Sequence, residues 1–183
     1  MRKRSGRSGS GANLALQRCR KPVIAAVNGP AVGAGLELAL SCDFILVATD
    51  AKLRFPELAL GTFVGGGVTH TLPERVGMAR ARELLLLGDF FSGEQAAAIG
   101  LANRAAPAEQ IAELAAALAE RLARQAPIPV AHAKRLLRRA RRLSRRGLMA
   151  EEARALAECM GTEDWKEGIA AQREKRAPGY EGR

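Results

Sequence analysis

The feature that most limits what this chain can fold into is the run of residues from Val23 to Glu57. Val23-Ile24-Ala25-Ala26-Val27 is apolar without alternation, which suits a strand covered on both faces, as in a parallel sheet flanked by helices. It enters a turn of small residues, Asn28-Gly29-Pro30-Ala31-Val32-Gly33-Ala34-Gly35, and then a short apolar helical segment, Leu36-Glu37-Leu38-Ala39-Leu40-Ser41-Cys42-Asp43. A second apolar run, Phe44-Ile45-Leu46-Val47-Ala48, brings the chain back, and Phe55-Pro56-Glu57 introduces a second glutamate. Strand, glycine turn, helix, strand is the order of an α/β crossover.

Small residues at a helix start let another group approach the backbone, and the first N–H groups of the helix have no acceptor of their own. A carbonyl oxygen over the N–H groups of Ala34 and its neighbours would be stabilised as negative charge develops on it, an effect of ~3–4 kcal/mol per donor. Glu37 and Glu57 could share a water or a substrate proton, one as base and one as acid. For either glutamate alone, a surface carboxylate or a helix-terminus charge is the plainer reading. Glu37 resists it more, because Leu36, Leu38, Ala39 and Leu40 around it are apolar.

The rest of the chain is read in order. Residues 1–11, rich in Ser, Gly and basic side chains, are expected to form a leader without structure. Residues 12–20 read as the tail of a helix with Leu14, Ala15, Leu16 and Cys19 toward a core, ended by Lys21-Pro22. After Glu57, the cluster Gly65-Gly66-Gly67 serves either close ligand approach or a plain turn. It precedes a short helix at residues 68–72, and a longer helix over 77–87 is stopped by Gly88. Ser92-Gly93-Glu94-Gln95 has capping-box form, and residues 101–105 suggest a short strand. From Pro107 the chain is helical, with apolar stripes at Ile111, Leu114, Leu118 and Leu122, at Val130, Leu137 and Leu143, and at Met149, Leu156 and Met160. Thr162 is placed to cap a last helix.

Charge and cysteine usage narrow the function. The net charge is +10, much of it in Arg2, Lys3, Arg4, Arg7 and the run from Lys134 to Arg146. That run fills the positions left by an apolar stripe, so it reads first as the solvated face of a helix and only second as a surface for phosphates. Aromatic residues make up 4% of the chain, too few for base-stacking platforms, so nucleic acid is not the expected partner. Cys19, Cys42 and Cys159 lack metal-site spacing and read as buried free thiols. No run has the length of a membrane span and the start has no signal-peptide core, so a cytoplasmic location is expected.

Several of these stretches resemble the crotonase, or enoyl-CoA hydratase/isomerase, superfamily. The resemblance is carried by Lys21-Pro22-Val23-Ile24-Ala25-Ala26-Val27-Asn28-Gly29, Gly33-Ala34-Gly35-Leu36-Glu37-Leu38, Cys42-Asp43, Phe55-Pro56-Glu57-Leu58 and Leu60-Gly61. Glu163-Asp164-Trp165-Lys166-Glu167-Gly168 and Glu174-Lys175-Arg176 look like the family's closing helix. The resemblance implies a crotonase-like α/β fold, a spiral ββα core over residues 12–106, followed by an all-helical segment over 107–183 that in this family builds trimers and dimers of trimers. It implies that the Ala34 N–H forms half of an oxyanion hole for a thioester, flanked by Gly33 and Gly35 in contact with substrate. Glu37 would activate water and Glu57 would supply a proton to the α-carbon, giving syn hydration of a 2-enoyl-CoA. Lys175 matches a C-terminal lysine that in some members approaches the CoA phosphates of a neighbouring subunit. No metal and no cofactor are implied beyond the coenzyme A carried by the substrate.

Family members carry more of the core ahead of the segment matching Ala12, including a loop with the second oxyanion N–H. The expectation is therefore a core incomplete at its N-terminus, with weak or absent activity. The readings left beside hydration are a non-catalytic oligomerising or acyl-CoA-binding remnant, another crotonase reaction such as isomerisation, and an RNA-binding member of the family.

Overall fold

The computed structural model describes residues 7–183, which divide into two compact units: residues 7–19 with 23–117, and residues 20–22 with 118–183. The expected division at 106/107 is displaced. A 3-10 turn at Ala108–Gln110 leads into α5 (Ile111–Ala123), and the boundary falls inside that helix because Ile111, wholly buried, belongs to the first unit's core.

The first unit opens with α1 (Arg7–Arg18), which begins inside the stretch expected to be an unstructured leader; residues 1–6 of that stretch lie outside the described residues. The core side of α1 also differs from expectation. Leu14 is exposed, as are Ala15 and Cys19, and the buried side chain is Asn13.

Two three-stranded sheets follow. In the first, β1 (Ile24–Val27), β3 (Phe44–Ala48) and β6 (Arg104–Ala106) run parallel in the order β1-β3-β6, with Ala25 opposite Ile45 and Val47 opposite Ala105. The central β3 is the most buried strand, as its continuous apolar run predicts. β1 departs from the same prediction: it is an edge strand, its side chains half-buried and Ala26 exposed. The third strand starts at Arg104, because residues 101–103 make a bend in which the Asn103 side chain accepts the Ile45 N–H at 2.8 Å.

The second sheet was invisible in the sequence. It joins β2 (Ala31–Val32), β4 (Lys52–Arg54) and β5 (Phe91–Ser92), strands of two or three residues with no pattern long enough to read. Between the sheets' strands lies α2 (Ala34–Leu40), which buries Leu36, Ala39 and Leu40. Its C-terminal connection is tied down by Asp43, whose Oδ2 accepts the Val23 N–H at 2.7 Å, and by Arg75, whose Nη2 donates to the Cys42 carbonyl at 2.6 Å. Burial pushes the Arg75 guanidinium down from its usual range, an effect partly offset by Cys42 and Asp43.

The expected helices at 68–72 and 77–87 meet as α3 (Val68–Leu86), with a break at Gly77 (φ 74°) that only glycine adopts without strain. α4 (Gly93–Ala98) carries the predicted capping box: Ser92 Oγ accepts the Gln95 N–H at 3.1 Å and Gln95 Oε1 accepts the Ser92 N–H at 2.7 Å. Phe55, Leu36, Ile45, Leu53, Leu72, Leu101 and Ile111 are the largest fully buried side chains. Each contributes about 1.5–3 kcal/mol by leaving water.

The second unit is helical: α6 (Pro127–Arg139), α7 (Arg145–Met160) and α8 (Glu163–Glu174). The basic run from Lys134 to Arg146 is not one helix face. It spans the end of α6, a turn and the start of α7, with Arg135 and Arg139 paired to Glu151 at 2.8 and 3.3 Å. Two expected stripes also turn outward. Leu137 is 76% exposed while Leu136 is buried, and Met149, Leu156 and Met160 are all exposed while Ala155 is buried. Cys42 is buried as expected; Cys159 is half-buried and Cys19 exposed.

Thr162 caps α8 by accepting the Trp165 N–H at 3.1 Å. The chain after α8 folds back onto it. Glu181 and Gly182 donate their N–H groups to Asp164 at 2.8 and 2.9 Å, and Glu167 takes both Nη atoms of Arg176, at 2.5 and 2.8 Å, and the Gly179 N–H at 2.8 Å.

Two tests follow from this packing. A Cβ on buried Gly93 would overlap the Ala48 carbonyl oxygen. Gly93→Ala is therefore expected to cost about 1–3 kcal/mol, read as a lowered thermal midpoint. Arg176 and the Gly179 N–H hold the Glu167 carboxyl down to about 2, from an ordinary 4.5. A lowered folded-state pKa means that this contact supports the fold fully above the ordinary value and loses its contribution as pH falls through about 2. Trp165 emission, titrated downward from neutral pH, should change over that window, and the change should vanish in Glu167→Gln.

Candidate active site

The site is built at the start of α2. Ala31 and Val32 of β2 pair in parallel with Leu53 and Arg54 of β4, which brings the glycine turn alongside the segment leading to Glu57. Gly33 follows with φ 55° and ψ −121°; its N–H donates to the Arg54 carbonyl at 3.0 Å, and its own carbonyl accepts the Glu37 N–H at 3.0 Å. An ideal Cβ on Gly33 would lie 2.6 Å from Glu57 Oε1. The turn thus needs glycine twice, for its positive φ and for the carboxylate packed against it.

Ala34 is the first residue of α2, so its N–H has no acceptor within the helix, and its side chain and Gly35 are exposed. A carbonyl oxygen can reach this end of the helix.

The two glutamates sit in unlike surroundings. Glu37, in the first turn of α2, is half-buried, and its Oε1 accepts the Gly65 N–H at 2.7 Å. A Cβ on Gly65 would come within 3.1 Å of Glu37 Oε2. Glu57 is 8% exposed, and among the described residues its Oε2 is the one fully enclosed side-chain polar atom without a hydrogen bond. The backbone around it is held by the Glu57 carbonyl, which accepts the N–H groups of Leu60 and Thr62 at 3.1 and 2.9 Å. One carboxylate is therefore oriented by a backbone donor, and the other is enclosed with a free oxygen. An unbonded enclosed oxygen carries a cost that a passing proton or a bound partner would remove.

The structure brings Gly33, Ala34, Gly35, Glu37 and Glu57 to one place. Lys175 belongs to the helical unit, where it is exposed and forms the C-cap of α8 in the left-handed region (φ 55°). Two residues of the site were not singled out by sequence reasoning. Gly65 lay within a cluster whose role was left open; its N–H is the donor to Glu37, and Gly66 and Gly67 turn the chain at positive φ. Asn13 packs against Gly66, where a Cβ would overlap its Nδ2 and lie 3.5 Å from Glu37 Cβ. A polar residue on the helix ahead of the apolar strand was the only signal for it. Among the described residues, no group of three or more His, Cys, Asp and Glu side chains is placed to hold a metal ion.

A profile of the family described as enoyl-CoA hydratase/isomerase matches residues 5–183. The chain belongs to that family. It is 38% identical over 168 residues to 2,3-dehydroadipyl-CoA hydratase of Escherichia coli, an alignment that covers 92% of this chain and 66% of that protein. It is 36% identical over 165 residues to crotonyl-CoA hydratase of Syntrophomonas wolfei, covering 90% of this chain and 64% of the other. The crystal structure of an enoyl-CoA hydratase from Bacillus anthracis superposes with a TM-score of 0.92 at 34% identity, over 96% of this chain and 68% of that one. The fold is the crotonase fold. The chain spans just under two thirds of the length of these curated relatives.

The close approach of Gly33 to Glu57 can be tested directly. Gly33→Ala places a Cβ at positive φ and against Glu57 Oε1. The variant is expected to lose at least about 1 kcal/mol of stability, measured as a shift of the denaturant midpoint.

Proposed function

We propose that this protein adds water, with syn geometry, across the double bond of a 2-enoyl-CoA thioester. The observation that carries this reading is the pairing at the start of α2 of a carboxylate held by a backbone N–H, Glu37 on Gly65, with an enclosed one whose Oε2 is unbonded, Glu57. Family membership and the enoyl-CoA hydratases among the relatives support the substrate class.

The thioester carbonyl would rest over the Ala34 N–H between Gly33 and Gly35, where developing negative charge is stabilised. Glu37, its orientation set by Gly65, would take a proton from a water as the oxygen bonds to the β-carbon. Glu57 would deliver a proton from Oε2 to the α-carbon, after which proton exchange between the carboxyls and solvent restores the starting state. Both carboxylates serve one face of the double bond, hence the syn outcome. No cofactor is required beyond the coenzyme A that the substrate carries, and in the proposed oligomer Lys175 would offer its positive charge to the CoA phosphates bound by a neighbouring subunit.

We further infer a homotrimer or a dimer of trimers, supported by the exposed apolar side chains of the helical unit, Leu137, Met149, Leu156, Met160 and Trp165. A cytoplasmic setting fits the finding that no described helix is long and apolar enough to cross a membrane.

Loss of enoyl-thioester absorbance measures the reaction. Glu37→Gln and Glu57→Gln are each expected to lower kcat by about 10²–10⁴-fold with KM little changed. Undiminished rates in both variants would overturn the assignment.

A further inference from the structure

Asn13 is unlike the other buried polar residues of the described chain. Asp164 is saturated by backbone N–H groups, Ser41 donates to the Glu37 carbonyl at 3.1 Å, and Glu57 belongs to the acid pair. Asn13 is 5% exposed, and among the described residues its side chain makes no hydrogen bond. A leucine of nearly the same size would fill this position without the cost of desolvating a carboxamide, and the helix already carries leucines one and three residues later, at Leu14 and Leu16. The helix instead buries the amide and exposes Leu14.

The place where it does so is the site. The Nδ2 of Asn13 occupies the space that a Cβ on Gly66 would take, and that same Cβ would lie 3.5 Å from Glu37 Cβ. Asn13, Gly66 and Glu37 therefore share one spot, next to the Gly65 N–H that orients the Glu37 carboxylate. Among the described residues the Asn13 carboxamide makes no hydrogen bond, although it packs against Gly66 beside Glu37. A buried amide with no partner among the described residues, packed beside a carboxylate of the site, is satisfied by what binds there.

We propose that Asn13 is a specificity-determining residue: its carboxamide hydrogen-bonds an oxygen-bearing group on the acyl chain, so the preferred substrates are enoyl thioesters whose acyl part carries a hydroxyl, carbonyl or carboxylate. The inference rests on the acyl-CoA reading above. If Glu37 meets the reacting carbons, the group beside it meets the chain that extends from them. A plain hydrocarbon chain would complete the burial of the amide and leave it unpaired, which is how a site built for a hydrogen bond rejects the analogue that lacks one.

The test compares matched pairs of short 2-enoyl-CoA thioesters, with and without a terminal hydroxyl or carboxylate, in the wild-type chain and in Asn13→Leu. Wild type is expected to favour the oxygen-bearing member in kcat/KM by about tenfold or more for at least one chain length. Asn13→Leu should abolish or reverse that ratio, mainly by improving the plain substrate, with a thermal midpoint at or above that of wild type. A purely structural asparagine would instead lower the midpoint and leave the ratio alone, and that result overturns the proposal. Should the leucine variant fail to fold, Asn13→Ser withdraws the amide from reach while keeping a small polar group, and the same loss of ratio is expected.

Calorimetric binding of the matched saturated acyl-CoA thioesters separates this inference from the reaction it rests on. An Asn13-dependent binding preference without turnover removes hydration and keeps the selectivity. Turnover with no preference in either measurement removes the selectivity and keeps hydration.

Discussion

The close contact between Gly33 and the Glu57 carboxylate is the constraint from which the rest of the site follows. A Cβ at position 33 would displace Glu57 Oε1, and the turn's positive φ is one that glycine adopts without strain. That bend puts the Gly33 N–H on the Arg54 carbonyl, aims the first N–H groups of α2 outward, and places Glu37 one helical turn further on. α2 packs against β2, α1 and α3, and the β2-β4 pairing fixes the approach of the chain that carries Glu57.

The chemical asymmetry of the two glutamates comes from their partners, not from their type. Glu37 has a backbone donor from a glycine whose lack of a Cβ lets the carboxylate come near, and Glu57 has enclosure with an oxygen left over. Under the proposed hydration these unlike surroundings would suit the two carboxyl groups to different steps. Asn13 adds a third polar group to the same corner, although Leu14 and Leu16 stand close to it on the same helix.

The helical unit follows a different logic. Its internal order comes from polar clamps, with Asp164 and Glu167 fastening the returning chain and Glu151 gathering Arg135, Arg139 and Arg154. Its apolar residues are only partly spent inward, since Leu137, Met149, Leu156 and Met160 face out. Apolar helix faces left exposed in this way are what the proposed oligomer would cover.

Sequence alone determined the elements whose signals are local: the apolar strand at Phe44–Ala48, the glycine turn into α2, the capping box at Ser92 and the cap at Thr162, each set by a few neighbouring residues. It also identified Glu37, Glu57 and Ala34 as one constellation, and its motifs carry the resemblance to the crotonase family. Tertiary structure decided what depends on distant partners. Strands of two residues form only because another strand is brought beside them, so β2, β4 and β5 left no trace in the sequence. A periodic stripe says which residues share a face but not whether that face meets the core, which is why Leu137 and Met149 turned outward. An asparagine's burial is likewise a property of what packs on it, so the place of Asn13 beside Gly66 and Glu37 became visible only when α1 and the glycine loop were brought together in space.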